Sequence, residues 1–278
     1  MPSILVNGHS LSQVSILDRG FQFGDGLFET IRISSGLPQY WQQHINRLFS
    51  GCDRLGIPGP DKNLLQSEAM ALCENIEEGV LKIIVTRGSG GRGYTLPAEI
   101  NATRVLACFP LPDYPAEYWN DGVALKICET RLGMNPSLAG IKHLNRLEQI
   151  LARAELNDAN YQEGLMLDTE NNVIEGTMTN LFCVRDGELL TPDLSRCGVK
   201  GIIRDQVIKA AKEMGIDMHE TTITLQALYN SDEIFICNSV IHIWPVRQLD
   251  AHEFMIGPIT QRVTQQLNRQ GHGRKNVA

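Results

Sequence analysis

The sequence predicts an α+β protein built from two domains. Its 278 residues are nearly twice the roughly 150 that one ordinary domain occupies. Short strand-like patterns precede a pair of helical ones early in the chain, and a similar mixture returns later. Between the two stretches, prolines at 110, 112 and 115 interrupt both helix and sheet. The expected division is residues 1–109, a linker at 110–118, and residues 119–278.

Ile4 to Asn7 reads as a short strand turning at Asn7-Gly8, a pair suited to a tight hairpin. Asp18 to Gly26 is a glycine-punctuated loop. Leu27 to Ile33 returns to an extended pattern, and Leu37 to Tyr40 completes a meander after Ser34-Ser35-Gly36. Then the period changes: Ile45, Leu48, Cys52 and Leu55 recur at helical spacing, as do Leu65, Ala69, Leu72 and Ile76. Val80 to Thr86 and Arg104 to Phe109 are expected as buried strands that close the first unit.

Beyond the prolines, Val123 to Thr130 reads as a strand. A helix is expected over His143 to Leu156, with Leu144, Leu147, Ile150, Leu151 and Ala154 on one face and Glu148, Gln149 and Arg153 on the other. Short strands follow at Gly164 to Leu167, Val173 to Glu175 and Leu181 to Val184, then a helix over Ile202 to Met214. Late strands are expected at Glu233 to Cys237 and His242 to Val246.

Composition narrows the function. Hydrophobic residues at 42% and charged residues at 21% exclude a disordered chain, a coiled coil and a collagen-like repeat. A net charge of −7 offers no basic surface to a phosphate backbone, so nucleic acid is not an expected partner. A small anion remains compatible, because a few arginines outweigh the mean field locally. No apolar run approaches the roughly 20 residues of a membrane span, and Met1 to Gly8 lacks a signal-peptide pattern. A cytoplasmic chain with no membrane contact is therefore expected. The seven cysteines never form Cys-x-x-Cys and read as small buried residues rather than metal ligands or disulfides. The histidines have no His-x-x-x-His spacing, so no metal site is expected.

The run Gly88-Ser89-Gly90-Gly91-Arg92-Gly93 invites a phosphate-loop reading, and with it a non-enzymatic nucleotide-binding module. It lacks the Gly-Lys-Ser/Thr ending of a P-loop, and no helical pattern follows. A mobile substrate loop, with Arg92 as the cation for a carboxylate, and a plain flexible hairpin both remain open.

The more specific chemistry surrounds Lys142, set between apolar residues in Leu138-Ala139-Gly140-Ile141-Lys142-His143-Leu144. A partly buried lysine left unprotonated is what Schiff-base chemistry needs. Glu175 offers a carboxylate, and Gly198-Val199-Lys200-Gly201-Ile202 puts glycines at a helix N-terminus, where free N–H groups suit a phosphate. Lysine, carboxylate and phosphate cup are the parts of a pyridoxal phosphate site. Taken singly, Arg47 is also an ordinary helix charge, Glu175 a strand-end carboxylate, and Thr30 and Ser239 strand hydroxyls.

Together these stretches resemble the fold type IV pyridoxal-phosphate enzymes, the class of branched-chain and D-amino acid aminotransferases and aminodeoxychorismate lyases. The lyase pattern is the nearer, through Arg87-Gly88-Ser89-Gly90-Gly91-Arg92-Gly93-Tyr94 and Leu138 to Gln149. Gln22 to Gly26, His44 to Leu48, Asn180 to Phe182 and Ile236 to Asn238 mainly mark the class. The resemblance implies a smaller N-terminal α/β sandwich domain and a larger C-terminal pseudo-barrel domain carrying the Schiff-base lysine. It implies pyridoxal 5′-phosphate as cofactor, a small-molecule substrate and a homodimer.

The same resemblance makes Lys142 the Schiff-base lysine and main proton-transfer base, with Thr30 near the reacting carbons. Glu175 would hold the pyridine nitrogen. Arg47, the backbone of Gly201 and Ile202, and Ser239 would bind the phosphate. Arg92, Tyr94 and Asn238 would lie near substrate carboxylates, whereas Arg19, Arg32 and Arg87 read equally as structural or substrate-side. The implied activity converts 4-amino-4-deoxychorismate to 4-aminobenzoate and pyruvate in folate synthesis. Glu29-Thr30 stands where the lyases often carry two hydroxyl residues. Aminotransferases commonly have Phe-Glu there, so transamination of branched-chain or D-amino acids is the alternative.

Overall fold

The computed structural model describes residues 3–157 and 160–269. The chain divides after Pro112 into two compact units, and Ile141–Asn145 belongs to the first. No helix among the described residues is long and apolar enough to cross a membrane.

The first unit comprises β1 (Ile4–Val6), α1 (Arg19–Phe23), β2 (Gly26–Ser34), β3 (Leu37–Pro38), α2 (Trp41–Leu55), α3 (Lys62–Cys73), β4 (Glu78–Thr86) and β5 (Thr103–Pro110). Its strands form one antiparallel sheet in the order β1-β5-β4-β2-β3. Ile31, Ile33, Leu81, Ile83 and Leu106 from the sheet, with Leu48 of α2 and Leu65 of α3, are fully buried. Helix α2 can lie close to β2 because position 51 is glycine: a Cβ there would stand 2.8 Å from a Leu27 methyl. Gly56, in the left-handed region at φ 61°, ends the helix by donating to carbonyls of its last turn. Asp61 starts α3, its carboxylate accepting from Leu64 N at 2.8 Å.

Helix α1 lies inside the stretch expected as a loop. Asp18 caps it by accepting from Gly20 N at 2.8 Å, and Gly24, at φ 66°, closes it. A five-residue helix carries too little periodicity to be read from sequence.

The second unit comprises α4 (Glu117–Asn120), β6 (Val123–Leu132), α5 (Leu147–Ala154), β7 (Glu163–Asp168), β8 (Asn172–Gly176), β9 (Asn180–Arg185), β10 (Glu188–Pro192), α6 (Ile202–Glu213), β11 (Met218–Thr221), β12 (Ile223–Thr224), α7 (Leu225–Tyr229), β13 (Glu233–Asn238), β14 (His242–Leu249), β15 (His252–Glu253) and α8 (Pro258–Leu267). Its sheet runs β11-β10-β9-β13-β14-β6-β7-β8-β12, and β8 also pairs with β9 through Glu175 and Asn180, closing a barrel. Closure leaves the inner strands without edges, which explains why β7, β8 and β9 are buried almost throughout.

Part of the expected linker is packed structure of this unit. The rings of Tyr114, Tyr118 and Trp119 lie 4.8, 5.2 and 5.6 Å from buried Trp244, each close to perpendicular. Apolar burial and edge-to-face stacking hold residues 114–119 here despite Pro110 and Pro112 before them and Pro115 among them.

The helix expected from His143 begins only at Leu147. The preceding residues are extended, because Leu144 N donates to Gly26 O and Phe28 N to Lys142 O along the edge of β2. The apolar face is open: Leu147, Ile150 and Leu151 are 73%, 60% and 59% exposed, and Ala152 is the residue that is covered. Helical periodicity shows that a face is apolar without showing what covers it.

Candidate active site

In the first unit, the site begins with the alternation of β2. Leu27, Glu29, Ile31 and Ile33 point to one face of the sheet and Phe28, Thr30 and Arg32 to the other. The Ile141–Asn145 segment runs antiparallel to the start of β2, bridging His143 to Leu27. It delivers the half-buried Lys142 amine to 4.4 Å from the Phe28 ring centroid. From β4, Lys82 pairs directly across from Thr30 and sets its amine 5.4 Å from the same ring. Phe28 and Lys82 were missed in the sequence, although the period of two already puts Phe28 and Thr30 on one face.

Behind that face is a buried charge cluster. His44 and Arg47, three apart on α2, reach Glu29 together. Arg47 Nε donates to Glu29 Oε1 at 2.8 Å and Nη2 to Oε2 at 2.5 Å; His44 Nδ1 meets Oε2 at 2.6 Å. Burial opposes ionisation of Glu29, but the charge of Arg47 and the bonds from both partners prevail and lower its pKa to about 2. Burial pushes the His44 imidazole down, against the pull of Glu29. Glu29 thus faces away from Thr30 and puts no carboxylate beside it.

The glycine run is anchored rather than loose. Arg19 Nη1 donates to the carbonyls of Gly93 at 3.0 Å and of Gly90 and Thr95 at 3.4 Å, while Nε binds Asp25 at 2.9 Å. Arg87 binds the same Asp25 and the carbonyls of Leu55 and Gly56. Loop carbonyls turned onto a guanidinium make no phosphate cradle. Arg92 and Tyr94 are exposed on this loop, with the Tyr94 ring 5.5 Å from Phe23. Arg32 is paired with Glu78 at 2.9 Å, so Arg19, Arg32 and Arg87 all have structural partners.

In the second unit, Glu175 is buried on β8, with Oε2 accepting from Val199 N at 2.8 Å. Asn180 braces the same loop by donating to Val199 O at 2.9 Å. The glycines here are required by close approach. Gly198 has φ 84°, and a Cβ on it would meet Leu194 at 2.8 Å and Glu175 at 3.3 Å; one on Gly201 would fall 2.0 Å from Asn180 Oδ1. Gly201 opens α6 without a side-chain cap, and Ile202 follows it, buried. Gly140 is tied to this loop, donating to Gly198 O at 2.9 Å and accepting from Lys200 N at 3.1 Å, two residues before Lys142. Ser239 is half-buried in the turn between β13 and β14. Asn238 secures that turn: Oδ1 accepts from Val240 and Ile241 N at 2.8 and 2.9 Å, and Nδ2 donates to Met178 O at 3.1 Å.

Thr30, Arg47, Arg92, Tyr94 and Lys142 therefore lie in the first unit, and Glu175, Gly201, Ile202, Asn238 and Ser239 in the second. Residues 26–249, from the start of β2 to the end of β14, match the model of the amino-transferase class IV family. The chain belongs to this family. Among class IV relatives, it is 38% identical over 267 residues to aminodeoxychorismate lyase of Vibrio harveyi, covering 95% of this chain and 98% of that one. The crystal structure of 4-amino-4-deoxychorismate lyase from Pseudomonas aeruginosa aligns with a TM-score of 0.93 and 46% identity, over 96% of this chain and 98% of that chain. The branched-chain-amino-acid aminotransferase of Escherichia coli K12 is 30% identical over 272 residues, 91% of this chain and 86% of its own.

Proposed function

We propose that the protein is a pyridoxal-phosphate-dependent lyase that converts 4-amino-4-deoxychorismate to 4-aminobenzoate and pyruvate in folate biosynthesis. The observation that carries this reading is Lys142, held by backbone bonds along β2 with its amine on Phe28, on the face that bears Thr30. The full-length likeness to two proteins named as this lyase supports it.

The residues fit the cofactor by their own chemistry. Arg47 is a guanidinium fixed by a buried carboxylate, Gly201 opens a helix whose first N–H groups lack a side-chain cap, and Glu175 is a buried carboxylate oriented by a backbone N–H. Arg47, the N–H groups of Gly201 and Ile202, and the Ser239 hydroxyl would hold the phosphate. Glu175 would hold the protonated pyridine nitrogen, and Lys142 would carry the covalent attachment. When bound, the cofactor supplies an electron sink for the carbon bearing the substrate nitrogen.

With its amine free, Lys142 would take the proton from that carbon. Thr30 or Lys142 returns a proton to the departing enolpyruvate. The gain of an aromatic ring drives the release, so the protein's share is positioning and proton handling. Arg92, Tyr94 and Asn238 are the substrate-side residues the resemblance supplies, and the structure's own addition is Lys82. Its amine rests only on the Phe28 ring among the described residues, directly across from Thr30. As the cation for a substrate carboxylate, Lys82→Met is expected to raise KM roughly tenfold with kcat nearly unchanged, because a charged hydrogen bond is lost. An unchanged KM would remove Lys82 from this role.

We also propose a homodimer. A second copy covering Leu147, Ile150 and Leu151 of α5 would gain about 1.5–3 kcal/mol for each side chain it buries. Light scattering should give twice the chain mass of 30.9 kDa; a monomer at micromolar concentration would contradict this. The competing activity, transamination, is separated by products. The holoenzyme should release 4-aminobenzoate from 4-amino-4-deoxychorismate without 2-oxoglutarate. Glutamate made from an amino acid and 2-oxoglutarate, with no 4-aminobenzoate, would establish transamination instead.

A further inference from the structure

We infer that Glu29 and His44 are positioning residues that hold Arg47 in the orientation needed to bind the phosphate of the cofactor. The inference rests on the assignment of Arg47 to that phosphate. An arginine side chain has four flexible torsions, and its usefulness to an anion depends on where its planar fork points. Here the fork is fixed from behind. Glu29 takes the Nε and Nη2 edge through both of its oxygens, leaving Nη1 on the far side of the guanidinium from the carboxylate.

Glu29 is in turn fixed by His44, whose Nδ1 lies 2.6 Å from Oε2. His44 has no solvent exposure, and its Nε2 is buried without a hydrogen-bond partner among the described residues. The carboxylate oxygen accepts from Nδ1, so His44 sets the plane of the Glu29 carboxylate that grips Arg47. The orphaned Nε2 is a cost the fold bears to keep Nδ1 in place. Glu29 also neutralises part of the positive charge of Arg47, which by itself would weaken anion binding; orientation is the larger effect in this account.

Titrating the apoprotein with pyridoxal 5′-phosphate and, separately, with pyridoxal, which lacks the phosphate, separates these effects. Glu29→Gln and His44→Leu are expected to weaken pyridoxal 5′-phosphate binding roughly tenfold or more, the loss of one charged hydrogen bond, and to leave pyridoxal binding unchanged. His44→Asn, whose amide can occupy the Nδ1 position, should restore wild-type affinity. Three results would overturn the inference: unchanged or tighter pyridoxal 5′-phosphate binding in Glu29→Gln, equal losses of both ligands, or His44→Asn behaving like His44→Leu. Wild-type protein that binds neither ligand would instead overturn the cofactor assignment on which the inference depends.

Discussion

Lys142→Ala is expected to lower 4-aminobenzoate formation by at least about a thousandfold, since one amine is proposed to serve both as covalent anchor and as general base. The fold should survive the change. The bond that ties this segment to β2 runs from Phe28 N to the Lys142 carbonyl, which alanine keeps. What is lost is the amine on the Phe28 ring. Borohydride reduction of the holoprotein followed by peptide mapping should place the cofactor on Lys142 in the wild type and nowhere in the variant. Full activity in Lys142→Ala would refute the assignment.

Glu175→Gln should be the next most damaging substitution, lowering kcat roughly a hundredfold or more, because it removes the buried charge proposed to hold the pyridine nitrogen. Glutamine is close to isosteric, and its amide oxygen can still accept from Val199 N, the bond that now holds Oε2 at 2.8 Å. Thermal stability should therefore change little while kcat falls, and Glu175→Asp should recover part of the loss. A kcat within a few fold of wild type would show that Glu175 serves only to fasten the Val199 loop.

The elements that carry the candidate site could be read in the sequence where they lie in short, chemically specific runs. The extended pattern over Leu27 to Ile33 became β2, and the glycines before Ile202 became the start of α6. The local order around Lys142 was harder. Apolar residues at helical spacing suggested a helix from His143, but backbone bonds to Gly26 and Phe28 keep His143 and Leu144 extended. Pairing with a strand more than a hundred residues away leaves no periodic mark in the sequence. Arg19 shows the same limit. Its three loop carbonyls lie more than seventy residues along the chain, so a run that suggests mobility is anchored.

The glycines at 198 and 201 were read for phosphate binding, and the structure adds a second reason for them, the close approach of Glu175 and Asn180. Sequence also named Arg47 without its partners. Glu29 and His44 meet it only once α2 lies on β2, a contact set by Leu27 against Gly51. Very short elements such as β12 and β15, two residues each, carry no readable pattern at all.

The most direct test of the central claim follows 4-aminobenzoate and pyruvate together after 4-amino-4-deoxychorismate is added to holoenzyme free of any 2-oxo acid. Equal amounts of both products are expected from the wild-type protein and neither from Lys142→Ala. Absence of 4-aminobenzoate from wild-type protein whose cofactor is attached at Lys142, or its undiminished formation by the variant, would contradict it.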